Sequence, residues 1–69
     1  MDYEQEIADA LAAMRVVMEY ELLGPFCAIR NYYEKQLMLW YHRRDITREE
    51  YSALDAKLSE GAREITRGR

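Results

Sequence analysis

The stretch that decides the fold is Asp45-Ile46-Thr47-Arg48-Glu49-Glu50-Tyr51. Thr47 is a good N-cap because its hydroxyl can accept a hydrogen bond from the backbone N–H of Glu50, whose carboxylate can reach back to the N–H of Thr47. Ile46 and Tyr51 flank this capping box, where apolar side chains hold the entering chain against the helix. The stretch therefore predicts a turn between two helices, with the second helix opening at Thr47.

Downstream of this turn, the sequence predicts an amphipathic helix over about residues 48–66. Its apolar positions recur every three or four residues, which is the helical period; they are Tyr51, Leu54, Leu58, Ala62 and Ile65. Gly61 lies beside this stripe, and a glycine inside a helix costs about 1 kcal/mol relative to alanine. We expect a neighbouring helix to approach closely there. The tail of residues 67–69 is expected to fray.

Upstream of the turn, a second helix is predicted over about residues 25–44. Gly24-Pro25 opens it, since proline suits the first turn of a helix. Its main apolar stripe is Phe26, Ile29, Tyr33, Leu37 and Trp40. Further apolar residues occupy its flanks, namely Tyr32, Met38, Leu39 and Tyr41. A helix that is apolar around much of its circumference is predicted to lie between the other two.

The first helix is predicted over about residues 2–23, with an apolar stripe of Ile7, Leu11, Met14, Met18 and Leu22. A second apolar set lies on its back: Ala13, Val16, Tyr20 and Leu23. That back is either covered by another surface or simply exposed, as scattered apolar residues often are. The fold class is all-α, a single three-helix domain over residues 1–69, in which helices two and three form a capped hairpin. The predicted shared core is Phe26, Tyr33, Leu37, Trp40, Leu54 and Leu58.

Size and composition favour a partner. A chain of 69 residues forms a small core, which often needs a disulfide, a metal or a second subunit. One cysteine excludes an internal disulfide, and one histidine argues against a metal site. The net charge of −3 provides no general attraction to nucleic acid or acidic membranes. With no signal peptide or membrane span and a single cysteine, a cytoplasmic location is expected.

The sequence contains no pattern typical of an enzyme, and we expect no catalytic residue, cofactor or metal. His42 lies among arginines without a second histidine or a cysteine at a useful spacing, and is interpreted as a solvated residue at a helix end. Cys27 is interpreted as a small buried or half-buried residue. No glycine-rich phosphate loop is present.

Two functions fit these features. Tyrosine, tryptophan and methionine are enriched in protein–protein contacts. The preferred hypothesis is therefore a protein-interaction or oligomerisation module that acts as an accessory or inhibitory factor. It would bind a partner protein, and it would also form a homodimer. Its candidate binding residues are Val16, Tyr20, Tyr32, Leu39 and Tyr41. The alternative is a small DNA-binding regulator that uses the basic turn of residues 42–48. Its candidate phosphate contacts are Arg43, Arg44 and Arg48, although Glu49 and Glu50 would repel a DNA backbone.

A family resemblance supports the first hypothesis. Residues 46–58 read Ile-Thr-Arg-Glu-Glu-Tyr-Ser-Ala-Leu-Asp-Ala-Lys-Leu. With the spaced Leu37 and Trp40 before them, they resemble the short C-terminal helical hairpin called SHOCT, whose members read I-T-x-E-E-[FY]. The chain departs from the family at Arg44, near a turn position where members usually have glycine. The resemblance implies an interaction or oligomerisation hairpin without enzymatic activity.

Overall fold

The computed structural model describes residues 1–67 and is a bundle of three helices. They are α1 (Tyr3–Glu19), α2 (Leu23–His42) and α3 (Arg48–Arg67), and residues 1–67 contain no strand. The predicted all-α, three-helix class is confirmed. The expected fraying of the tail falls mainly on residues 68 and 69, which lie outside the described part, whereas Arg67 is helical.

The three helices pack side by side in an elongated body of 36 × 17 × 16 Å. Each helix contacts both of the others. The prediction that the second helix lies between the first and the third is therefore wrong. Three helices arranged as a triangle bury the apolar stripe of each against two neighbours, and this arrangement protects more apolar surface than a flat layer.

The core is built from the predicted apolar stripes. Its largest fully buried side chains are Ile7, Met14, Leu37 and Leu58. Phe26, Trp40 and Leu54 are also buried, as predicted. Tyr33 differs from the prediction, because it is only half-buried and packs at the edge of this core.

The capping box at the start of α3 is confirmed. The backbone N–H of Glu50 donates to Thr47 Oγ1 at 3.1 Å, and the N–H of Thr47 donates to Glu50 Oε1 at 2.7 Å. Ile46, which precedes the cap, is buried, and Tyr51 packs against the core. Local sequence therefore determines where α3 begins, because two helix-terminal N–H groups find partners within four residues.

The first helix ends at Glu19, four residues before the predicted end at Leu23. The reason is a left-handed residue, Glu21, with φ of 58°. Its N–H donates to the carbonyl of Met18 at 2.9 Å, and the N–H of Leu22 donates to the carbonyl of Val17 at 3.0 Å. This pair of bonds is the Schellman motif, which usually has glycine at the left-handed position. The turn carries Leu22 out of the predicted apolar stripe, and its side chain is exposed.

The second helix begins at Leu23, two residues before the predicted start at Pro25. Gly24 and Pro25 therefore lie inside the first turn of α2, and the break between α1 and α2 comes before them. The first backbone N–H of α2 that bonds to a preceding carbonyl is that of Phe26, which donates to Leu22 at 3.1 Å. Pro25 lies before this bond, so its missing N–H removes no helical hydrogen bond.

The same C-terminal motif ends α2 at His42, two residues before the predicted end at Arg44. Arg44 is left-handed with φ of 65°. Its N–H donates to the carbonyl of Tyr41 at 3.0 Å, and the N–H of Asp45 donates to the carbonyl of Trp40 at 2.9 Å. Arg44 thus occupies a position that favours glycine, close to the turn position where SHOCT hairpins have one.

Gly61 marks a close approach between α1 and α3, as the sequence analysis expected. A methyl group added at Gly61 would lie 2.5 and 2.6 Å from the two δ carbons of Leu11. Side-chain carbons do not approach so closely. The glycine therefore lets the two helices bury Leu11 between them.

Candidate protein-binding face

Two of the candidate binding residues lie on the side of α1 that faces away from α3. Leu11 contacts Gly61 and so marks the side of α1 that faces α3. Because each residue of a helix turns by about 100°, Val16 and Tyr20 point about 140° and 180° away from Leu11. Their side chains are 53% and 72% exposed.

Two further candidates lie on the corresponding side of α2. The ring of Tyr41 lies 5.2 Å from that of Tyr51 and marks the side of α2 that faces α3. Tyr32 and Leu39 point about 160° to 180° away from Tyr41, and they are 56% and 43% exposed. Tyr41, the fifth candidate, therefore lies apart from the other four, against α3.

The exposed sides of α1 and α2 adjoin each other. The Tyr33 ring lies 5.1 Å from that of Tyr32, in an edge-to-face arrangement. Burial raises the pKa of Tyr33, and the carboxylates of Glu6 and Asp9 on α1 raise this pKa further. Because α1 and α2 pack along each other and both contact α3, their sides that face away from α3 adjoin and form one surface.

The relative heights of residues on this surface follow from one contact. The ring of Tyr3, at the start of α1, lies 4.6 Å from that of Trp40, near the end of α2. Counting from this contact along two antiparallel helices places Tyr20 level with Leu23, and Asp9 within one residue, about 1.5 Å, of the level of Lys35. We call this surface the α1/α2 face. It comprises Asp9, Val16, Tyr20, Tyr32, Lys35 and Leu39.

Beside its apolar residues, the face carries Asp9 on α1 and Lys35 on α2. Asp2 and Glu6 project onto the α1 half of the same face, so its acids lie on α1 and its base lies on α2. Asp9 belongs to α1 and accepts a hydrogen bond from Gln5 Nε2 at 2.8 Å. Lys35 belongs to α2, and its exposed ammonium is not among the ion pairs of residues 1–67, which join Arg30 to Glu34 and Arg67 to Glu64. The sequence analysis did not select either residue, because a charge on a helix surface is ordinary until packing shows what lies beside it.

The basic turn is exposed but carries mixed charge. Arg43, Arg44 and Arg48 are all exposed, and so are Glu49 and Glu50 in the first turn of α3. The acidic start of α1 lies at the same end of the bundle, since Tyr3 packs on Trp40. Acids thus alternate with the arginines that would contact phosphates, and they weaken the attraction to a DNA backbone.

The remaining candidate chemistry is sparse. His42 is exposed at the end of α2, as interpreted from the sequence. Cys27 is exposed, which corrects the expectation that it is buried or half-buried. Among residues 1–67, no three histidine, cysteine, aspartate or glutamate side chains lie together as metal ligands. None of the helices in the described part combines the length and the apolar character needed to cross a membrane.

Comparison with family models, with curated proteins and with solved structures finds no match to this chain. The resemblance of residues 37–58 to the SHOCT hairpin stays a prediction. The case for a function therefore depends on the α1/α2 face itself.

Proposed function

We propose that this protein is a small non-enzymatic module that binds proteins through its α1/α2 face. It acts as an accessory or inhibitory factor in the cytoplasm, and its partner is another protein or a second copy of the chain. The observation that carries the proposal is the gathering of Val16, Tyr20, Tyr32 and Leu39 on one side of the bundle, each at least 43% exposed. Large exposed apolar residues gathered along one side of a bundle are typical of interaction sites.

The size of the face supports the proposal. A stable protein interface removes about 800 Å² of surface from each partner. The molecule exposes 4944 Å², so such an interface would cover about one sixth of it. One long side of the bundle measures 36 by 17 Å, so an interface of that size would use essentially the whole side, including the relief of its side chains.

The composition of the face supports it as well. Tyrosine is among the residues that contribute most to interface energies, and leucine supplies apolar area that gains about 1.5–3 kcal/mol when it is fully buried. Lys35 and Asp9 provide one charge of each sign, which favours a defined orientation of the partner. No charged side chain of α2 other than Lys35 interrupts the surface between Tyr32 and Leu39.

A matched pair of substitutions tests the proposal. Leu39 and Met38 are neighbours in α2 with similar exposure, 43% and 51%. A rotation of about 100° separates Met38 from Leu39 and places it at the outer edge of the α1/α2 face, beside Lys35. Tagged wild-type, Leu39→Glu and Met38→Glu proteins are used to capture binding proteins from an extract of the native host that also contains an untagged copy of the chain.

We expect wild-type and Met38→Glu proteins to retain the same binding protein, whether a host protein or the untagged copy. Leu39→Glu should lose it, because the new carboxylate would be buried against an apolar contact. Circular dichroism provides the control that all three proteins are equally helical. Equal capture by both variants, or no specific capture by any of them, would contradict the proposal.

A further inference from the structure

We infer that the α1/α2 face binds the same face of a second copy, around a two-fold axis parallel to the helices. This inference rests on the proposed function and specifies its partner. Three properties of the face support it: the positions of its charges, the sizes of the side chains at each level, and the antiparallel course of its two helices.

The charges distinguish between the possible two-fold arrangements. A two-fold axis parallel to the helices lays α1 of one copy on α2 of the other and keeps every residue at its own level. Residues that are level within one chain then face each other across the interface. Asp9 lies within about 1.5 Å of the level of Lys35, a difference that the long lysine side chain can span. Each Asp9 would therefore face Lys35 of the partner subunit, and the interface would contain this ion pair twice.

The other face-to-face arrangement lacks this complementarity. A two-fold axis in the plane of the face but perpendicular to the helices lays α1 on α1 and α2 on α2. Asp9 would then face an α1 helix, which carries no base on its part of the α1/α2 face, and Lys35 would face an α2 helix, which carries no acid there. Charge complementarity therefore selects the axis parallel to the helices.

Side-chain sizes agree with the same axis. Counting from the Tyr3–Trp40 contact, Tyr32 lies within two residues of the level of Ala13, and Val16 lies within one residue of the level of Ala28. Under the parallel axis, each large side chain would face a small one of the partner subunit. The four side chains of these two pairs are all exposed in the single chain. Alternating large and small residues allow helices to interdigitate.

The topology of the resulting dimer is also favourable. α1 and α2 are antiparallel neighbours within one chain. The parallel axis places α2 of the partner subunit next to α1, so that adjacent helices in the central layer all run in opposite directions. This is the arrangement of up-down-up-down four-helix bundles. The two α3 helices would lie outside this layer.

Charge reversal tests the arrangement. Asp9→Lys places lysine opposite lysine in a homodimer, and Lys35→Glu places aspartate opposite glutamate. We expect each variant alone to dimerise at least about tenfold more weakly than the wild type, because two attractive pairs become repulsive. In an equimolar mixture both pairs are attractive again, so heterodimers should form with about wild-type affinity. Sedimentation equilibrium gives the dissociation constants, and native mass spectrometry identifies the heterodimer.

The control uses the same charge changes on α3. Glu60 and Lys57 are exposed there, outside the α1/α2 face. Glu60→Lys and Lys57→Glu should each dimerise as the wild type does, and their mixture should show no preference for heterodimers. Thermal melts of all four variants check that each one is folded.

Each outcome is decisive. Restored dimers in the first mixture, and none of these effects in the control, support the inference. A wild-type protein that stays monomeric at high micromolar concentration overturns the inference. The proposed function would still stand if Leu39→Glu abolished capture of a host protein. A dimer without heterodimer preference overturns the arrangement. Loss of both self-association and capture would contradict the proposed function as well.

Discussion

Gly61→Ala is the substitution whose outcome depends most directly on the packing of this bundle. On helix propensity alone, it should raise the free energy of unfolding by about 1 kcal/mol. The new methyl group, however, would lie 2.5 and 2.6 Å from the δ carbons of Leu11, whereas unstrained carbons stay about 3.5–4.0 Å apart. The side chain of Leu11 would have to move by about 1 Å, and overpacking of this kind costs about 1–3 kcal/mol.

The packing term should exceed the propensity term. We therefore expect Gly61→Ala to lower the free energy of unfolding by about 1 kcal/mol, which for a chain of this size lowers the melting temperature by about 4–8 °C. Thermal and urea unfolding followed by circular dichroism measure it. Gly24→Ala is a comparison without a tertiary clash, because nothing beyond the two neighbouring residues lies within 4 Å of the added methyl group. Pro25 follows it and disfavours a helical conformation at a residue that carries a Cβ, so the stabilisation should be smaller than the about 0.4–1 kcal/mol expected at a compatible site.

A double-mutant cycle locates the cause. In a Leu11→Ala background the obstructing δ carbons are absent, so Gly61→Ala should become stabilising, with a coupling free energy above about 1 kcal/mol. If Gly61→Ala stabilises the wild-type chain by the about 1 kcal/mol that helix propensity alone predicts, Leu11 can move without loss. The argument that the glycine permits close packing of α1 on α3 would then be refuted.

Four further predictions follow from the same structure. Leu58→Ala should lower the free energy of unfolding by about 2–5 kcal/mol, because Leu58 is 1% exposed in the core; a melt like that of the wild type would contradict the core assignment. Arg44→Gly should raise the free energy of unfolding by about 1 kcal/mol in a urea titration, because Arg44 has φ of 65° and the left-handed conformation costs a side-chain-bearing residue about that much; an unchanged midpoint would argue against the motif. The pKa of Tyr33 is raised, first by burial and then by Glu6. Above the ordinary tyrosine pKa the unfolded chain therefore loses this proton before the folded chain does, and the free energy of unfolding should fall as pH rises. Tyr33→Phe should lessen that fall, and identical alkaline profiles of the two proteins would exclude the effect. A gel shift with random duplex DNA at low salt should show no tight binding; tight binding that is lost on replacing Arg43 and Arg44 by glutamate would favour the DNA-binding alternative.

The candidate face illustrates what helical projection can and cannot predict. Projection selected Val16 and Tyr20 on one helix and Tyr32 and Leu39 on another as exposed apolar residues, and all four are exposed. It could not show that these two pairs adjoin. That result depends on how each helix is rotated about its axis, and the rotation is set by contacts between helices, such as Leu11 on Gly61.

Helix ends show the same division. The start of α3 was predictable because both hydrogen bonds of the capping box join residues three positions apart. The end of α1 was not, because Glu21 occupies a left-handed position that sequence rules assign to glycine. A non-glycine residue can hold this conformation when packing of the flanking helices compensates for its strain.

The sequence by itself determined the helical class, the start of α3 and the apolar stripes, because these depend on residue spacing and on groups within one turn of each other. Only the tertiary structure decided that the three helices form a triangle, that Tyr41 packs against Tyr51, and that Asp9 and Lys35 share one surface. Those relations join residues distant in the chain. They follow from the way three apolar stripes are buried together, which no single stripe specifies.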